Sequence, residues 1–374
     1  MRKIRVLVVD DSALVRRIIS DALACDPEIE VAATAANGRI ALARIPQVNP
    51  DVITLDVEMP VMDGLEALKE LRKTYLRLPV IMFSTLTERG ASATLDALAL
   101  GASDYVTKPS NVGGAAVALQ RIREDLIPKI KAHSTAVRAP IAFPARHTPF
   151  KAPFRATQAP GFRLPGRRVE LVAIGVSTGG PNALAELIPQ LPQDFPVPVV
   201  IVQHMPPIFT KFLADRLSSK AQIHVDEART MQEVVPGQAY IAPGDFHMVV
   251  TRENGTVRIR THQGPPENSC RPAVDVLFRS VAEAYREHAL GVIMTGMGQD
   301  GLRGCQSIYD AGGQILAQDA ATSVVWGMPG FVANAGLADK VLPLEQLASE
   351  IIQKVSRGRP SGHLVVDRPH LESR

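Results

Sequence analysis

In LVAIGVSTGGPNAL, residues 171 to 184, an apolar run enters a Gly-x-Ser-x-Gly turn and then a helical pattern. A serine on such a turn sits exposed at a sheet edge, where it can act as a nucleophile. The same turn presents backbone N–H groups and a positive helix-dipole end, which suits a phosphate. Plain turn geometry also satisfies the motif. The phosphate reading lacks its usual supports, because neither a Gly-Lys-Ser/Thr pair nor a complete Gly-x-Gly-x-x-Gly is present. The nucleophile reading needs a base and an orienting acid from other strand ends. His204, in QHMPP, follows the run VPVVIVQ, and Asp300, in TGMGQDG, follows LGVIMTG. Taken singly, the histidine can be a packed or capping residue and Asp300 a cap for a helix starting near Gly301. Placed after separate strands of one parallel sheet, Ser177, His204 and Asp300 converge on one edge.

A second constellation lies near the start. One apolar run ends in Asp10-Asp11, another in Asp56, a third in Ser84-Thr85, and a fourth runs into Lys108-Pro109. Carboxylates gathered at this density repel one another unless a cation joins them, and hard oxygen ligands suit Mg²⁺. Helix capping is the alternative for each aspartate alone.

These residues need sheets to hold them. Up to residue 125, short apolar runs (IRVLVV, VAATA, DVITLD, PVIMFS, DYVTK) alternate with helical patterns starting near Ala13, Gly38, Gly64, residue 91 and Ala115. Five such units predict a parallel sheet covered on both faces. From residue 126 to 168 a linker is expected. Its core, STAVRAPIAFPARHTPFKAPFRATQAPGFRLPGRR, is rich in proline and arginine and has no acidic residue. Prolines at this density favour a semi-stiff, extended spacer. Residues 169 to 356 resume the alternation, with VELVAIGV, VPVVIVQ, LGVIMTG and GQILAQ as buried strands. Between them QAYIAPGDFHMVVTRENGTVRIR reads as a strand and a hairpin turning at Asn254-Gly255. Residues 357 to 374 form a tail. The expected fold is therefore α/β throughout: a five-stranded parallel sheet, then a doubly wound, mostly parallel domain with an antiparallel hairpin insert.

The 374 residues suit two domains, and the net charge of +3 is too small to imply nucleic acid. No helix-turn-helix stretch follows the linker. No apolar run approaches the roughly 18 residues of a membrane span, and the first apolar run stops at Asp10, too early for a signal-peptide core. Cys25, Cys270 and Cys305 are widely spaced, without Cys-x-x-Cys, which argues against a disulfide framework or zinc site and fits a reducing cytoplasm. A cytoplasmic monomer without membrane insertion is expected.

Residues 1 to 125 resemble the receiver domain of two-component response regulators, and the resemblance implies a flavodoxin-like fold for the five-stranded sheet. The resemblance implies Asp56 as phosphoacceptor, and Mg²⁺ held by Asp10, Asp11, Asp56 and the Glu58 carbonyl. It further implies phosphoryl contacts from Lys108 and Ser84, Tyr105 as the aromatic that reports phosphorylation, and a cis Lys108-Pro109 bond. GVSTGGP, QHMPP, APGDFHMVV, RPAVDVLF, TGMGQDG and QDAATSVVWGMPG occur in the order found in chemotaxis-type protein-glutamate methylesterases, and FSTLTERGASATLDALALGASDYVTKPS resembles the receiver of that family. Leu302 departs from it, standing where a small residue is common. The resemblance implies hydrolysis of glutamyl γ-methyl esters on methylated chemoreceptor cytoplasmic domains by Ser177, His204 and Asp300, with glutamine deamidation as a second activity. The Met297 N–H and the Thr178 region would form the oxyanion site, no cofactor would be needed in the catalytic domain, and a histidine kinase would be the phosphodonor. The competing reading is a non-catalytic, receiver-controlled module that binds a nucleotide or a receptor tail.

Overall fold

The computed structural model describes residues 2–108, 114–138 and 168–357. In the first domain the elements alternate as β1 (Ile4–Val9), α1 (Ala13–Ala24), β2 (Ile29–Ala35), α2 (Gly38–Val48), β3 (Val52–Asp56), α3 (Gly64–Thr74), β4 (Val80–Ser84), α4 (Glu88–Ala99), β5 (Asp104–Thr107) and α5 (Gly114–Arg138). The strands pair in parallel in the order β2-β1-β3-β4-β5. The middle strands β3 and β4 are buried along their whole length, as an apolar run covered on both faces requires. Local chemistry sets the helix starts: Ser12 caps α1, Asn37 caps α2, and Asp63 with Glu66 makes a reciprocal capping box on α3. Helix α5 runs on to Arg138, past the boundary expected at residue 125 and into the stretch read as linker. The expected Lys108-Pro109 cis bond, the rest of the linker and the tail after 357 lie outside the described residues.

The second domain continues with β6 (Leu171–Val176), α6 (Gly180–Leu187), β7 (Val199–Gln203), α7 (Phe209–Ser218), β8 (His224–Glu227), β9 (Gln238–Ile241), β10 (His247–Glu253), β11 (Thr256–His262), α8 (Val274–Tyr285), β12 (Ala289–Ile293), α9 (Leu302–Asp310), β13 (Gln314–Gln318), α10 (Met328–Asn334), β14 (Lys340–Leu342) and α11 (Leu344–Ser356). Seven strands form a parallel sheet in the order β14-β13-β12-β6-β7-β9-β8, while β10 and β11 pair separately and antiparallel. The hairpin turns at Asn254 (φ 51°) and Gly255 (φ 83°), two successive left-handed residues that match the right-handed twist of its strands.

The two domains touch. Helix α4 packs on α6 and α7, and a buried apolar cluster runs continuously from one sheet to the other. The Tyr105 ring stacks on Phe209 at 5.2 Å and 11° between planes. Arg216 reaches Asp96 at 2.7 Å, and Asn182 Nδ2 donates to the Ala102 carbonyl at 3.3 Å.

Candidate active site and phosphoacceptor site

Strand order reverses direction at β6 in the second sheet, because β7 lies on one side of it and β12 on the other. Such a switch point opens a crevice at the carboxyl ends of the strands. Ser177 follows β6, His204 follows β7 and Asp300 lies in the loop after β12, so the three come from neighbouring strands. Val176 and Gln203 are register partners, which makes Ser177 and His204 the next pair across the two strands. The His204 N–H donates to the Val176 carbonyl at 3.2 Å, and Gln203 Nε2 donates to the carbonyls of Ser177 and His204, both at 3.0 Å. Gln203 thus clamps the serine turn to the histidine turn. Behind Ser177 the chain at Gly296 comes so close that an added Cβ would lie 2.8 Å from Ser177 Cβ and 3.1 Å from its nitrogen.

His204 Nε2 lies 2.8 Å from Asp300 Oδ2. The imidazole is only 13% exposed and Asp300 is 2% exposed. Burial alone disfavours a charged ring, yet the bond to Asp300 and the neighbouring Cys270 push the His204 pKa up to about 10. Asp300 is itself held ionised: burial opposes its charge, but His204 and the backbone N–H groups of Val274 and Asp275, at 2.6 and 3.0 Å, lower its pKa. Those N–H groups open α8, whose positive dipole end stabilises the carboxylate. Asn268 Nδ2 adds a bond at 2.8 Å and the Gly301 N–H one at 3.1 Å. Capping by Asp300 is therefore real, chiefly at α8 rather than at the helix that follows it. His204 does not cap α7, whose preceding residue is Ile208.

Thr178 follows Ser177, and Met297 follows Gly296, which packs against Ser177. Thr178 is 7% exposed, and its carbonyl accepts from Thr295 Oγ1 at 2.9 Å. The N–H groups of Met297 and Thr178 have no protein acceptor among the described residues. No hydrogen bond joins Ser177 Oγ to His204 among them either; in substrate-free enzymes that bond is often long and tightens with substrate. Sequence reasoning assigned no role to Gln203, Asn268 or the α8 N-terminus. Gln203 lay within a quoted motif, but nothing in its type or spacing marks it as a clamp.

In the first sheet, strand order reverses between β1 and β3, and there Asp10, Asp11 and Asp56 place ligand oxygens within 4.8 Å of one another. Asp10 and Asp56 are buried and Asp11 is exposed. Lys108 Nζ donates to Asp56 Oδ2 at 2.7 Å and forms an ion pair with Asp10 Oδ2 at 2.9 Å, an oxygen with no hydrogen-bond partner among the described residues. Burial and, after it, the Asp10 charge outweigh Lys108 and raise the Asp56 pKa to about 6. This crowding of buried carboxylates fits a divalent cation. Ser84 Oγ donates to the Gly90 carbonyl at 2.9 Å, so contact with a phosphoryl group requires the hydroxyl to swing. The exposed Glu58 carboxylate lies 3.4 Å from Arg89. Tyr105 is buried against Phe209 of the other domain.

Fold and site define a receiver domain joined to an α/β domain with hydrolase-type residues at its sheet rim. The response regulator receiver domain family matches residues 6–119, and the CheB methylesterase family matches residues 172–351. A protein-glutamate methylesterase/protein-glutamine glutaminase of Trichodesmium erythraeum is 57% identical over 357 residues, covering 95% of this chain and 100% of that protein. One from a Nocardioides species is 51% identical, covering 96% and 98%. The solved CheB methylesterase catalytic domain of Thermotoga maritima is 45% identical with a TM-score of 0.49, covering 50% of this chain and 99% of that one. The chain belongs to the CheB methylesterase family, in its receiver-bearing form.

Proposed function

We propose that this protein hydrolyses glutamyl γ-methyl esters, and deamidates glutamine side chains, on chemoreceptor cytoplasmic domains under the control of receiver phosphorylation. The observation that carries the catalytic reading is the 2.8 Å His204–Asp300 pair beside Ser177 on adjacent strands. Ser177 Oγ attacks the ester carbonyl while His204 takes its proton. Nε2 is committed to Asp300, so the nitrogen left to accept that proton is Nδ1. Asp300 fixes the ring orientation and stabilises the imidazolium without itself becoming protonated. Methanol leaves with a proton from His204, and water then opens the acyl-enzyme with the same base. The free N–H groups of Met297 and Thr178 are the candidate donors to the tetrahedral oxyanion. An amide reacts through the same intermediate and releases ammonia. A purely binding role for the glycine turn is not favoured, since the family is one of named enzymes.

In the receiver, Asp56 attacks the phosphoryl group of a histidine kinase and Lys108 neutralises the incoming oxygens. Asp10, Asp11, Asp56 and the Glu58 carbonyl would hold Mg²⁺, which when bound offsets phosphoryl charge during transfer. The new charge on Asp56 biases the α4–β5 face, which rests on α6 and α7, the helices that follow Ser177 and His204.

The test is methanol release from methylated receptor membranes. Ser177→Ala should abolish release while Asp56 is still phosphorylated at the wild-type rate. Undiminished release would remove the proposal.

A further inference from the structure

Cys270 has no part in the chemistry above, yet its Sγ lies 3.6 Å from His204 Nδ1, the nitrogen that must take the serine proton. The thiol is held in place. Glu267 and Cys270 exchange backbone hydrogen bonds of 3.1 and 2.9 Å across a turn whose middle residues, Asn268 and Ser269, are both left-handed (φ 52° and 63°). Asn268 in turn anchors the loop to Asp275 and Asp300. Ligand atoms of His204, Cys270 and Asp300 all fall within 4.8 Å of one another.

Zinc–sulfur and zinc–imidazole bonds of about 2.3 and 2.05 Å at a tetrahedral angle put sulfur and nitrogen about 3.6 Å apart. The observed separation is 3.6 Å. The opposite ring nitrogen already faces a buried carboxylate, the arrangement that orients a metal-bound histidine and raises its basicity. We propose that Cys270 Sγ and His204 Nδ1 form a site for a thiophilic divalent cation, with Zn²⁺ as the natural probe, and that its occupancy shuts off hydrolysis. Binding displaces the thiol and imidazole protons and commits the Nδ1 lone pair to the metal, leaving Ser177 without a base. Two protein ligands leave the remaining positions to water, so the site is a reversible brake rather than a structural metal centre. The inhibitory half rests on the reading of His204 as base; the binding half does not.

The experiment uses the full-length, reduced protein in excess Mg²⁺, which keeps the receiver carboxylates occupied. Co²⁺ titration should produce a sulfur-to-metal charge-transfer band in wild type. The band should be missing in Cys270→Ala and Cys270→Ser, and the titration should shift about 10- to 100-fold to higher concentration in Asp300→Asn. Zn²⁺ should suppress methanol release in wild type over the range in which it displaces Co²⁺, with recovery on chelation, and both Cys270 variants should be insensitive. No band, or a band surviving in both Cys270 variants, overturns the site. A band with undiminished methanol release overturns the brake. Absence of esterase activity in the metal-free protein contradicts the proposed function and leaves the binding result standing.

Discussion

Asp300 is ringed by donors from His204, Asn268 and the first turn of α8, and this fixes the charge state of the imidazole it holds. The His204 pKa is raised, so the neutral ring that can act as base is populated only as pH climbs. kcat/KM should therefore rise with pH through an inflection above the ordinary histidine value of 6.5. Asp300→Asn removes the main raising partner: the inflection should move down in pH, and kcat should fall by on the order of 10⁴-fold as the tautomer is lost. A pH–rate profile of the two proteins checks both, and an inflection unmoved by the substitution contradicts the assignment. The serine, histidine and aspartate were legible because each follows a separate apolar run. The choice of ring nitrogen and the service of Asp300 as acceptor for α8 were not, because the first depends on a pair 96 residues apart and the second on a helix start 26 residues before Asp300, which only folding brings near.

At the scale of elements, the strand ends are fastened by buried polar side chains: Gln203 ties β7 to the serine turn, and Thr295 ties the β12 loop to Thr178. Gly296 completes this packing, since a Cβ there would strike Ser177 Cβ and the Met328 sulfur. Gly296→Ala should displace Ser177 and cost roughly 2–4 kcal/mol of transition-state stabilisation, comparable to losing an oxyanion donor, while the phosphorylation rate stays at the wild-type value. Steady-state kinetics beside a phosphorylation assay separate the two domains, and unchanged kinetics would show that the close approach is dispensable. The central strands were readable because burial on both faces leaves continuous apolar runs. The edge strands β8 and β14 were missed for the converse reason. HVDE holds one apolar residue among polar ones, and KVL is three residues long and mostly exposed, so neither carries a period or a run.

For the whole molecule, the contact of α4 and β5 with α6 and α7 lay beyond sequence reasoning, which supplied two domains and a spacer but no relative placement. Asp96 and Arg216 pair across that contact with partial exposure. Asp96→Lys puts like charges there. An exposed pair of this kind is worth about 0.5–1 kcal/mol, so basal methanol release by the unphosphorylated protein should rise about two- to fivefold and its further stimulation should shrink. Unaltered basal release would disconnect this face from activity. Asp56→Asn should abolish stimulation by a small phosphodonor with Mg²⁺ and keep basal release; equal stimulation in both proteins would assign the receiver another role. Trapping the covalent intermediate tests the serine mechanism most directly. Full-length protein is acid-quenched during turnover of a γ-methyl-glutamyl receptor peptide and mapped by mass spectrometry. A glutamyl ester should form on Ser177, be missing in Ser177→Ala and form far more slowly in His204→Ala. An acyl group on another side chain, or turnover of the peptide by Ser177→Ala, would contradict that mechanism.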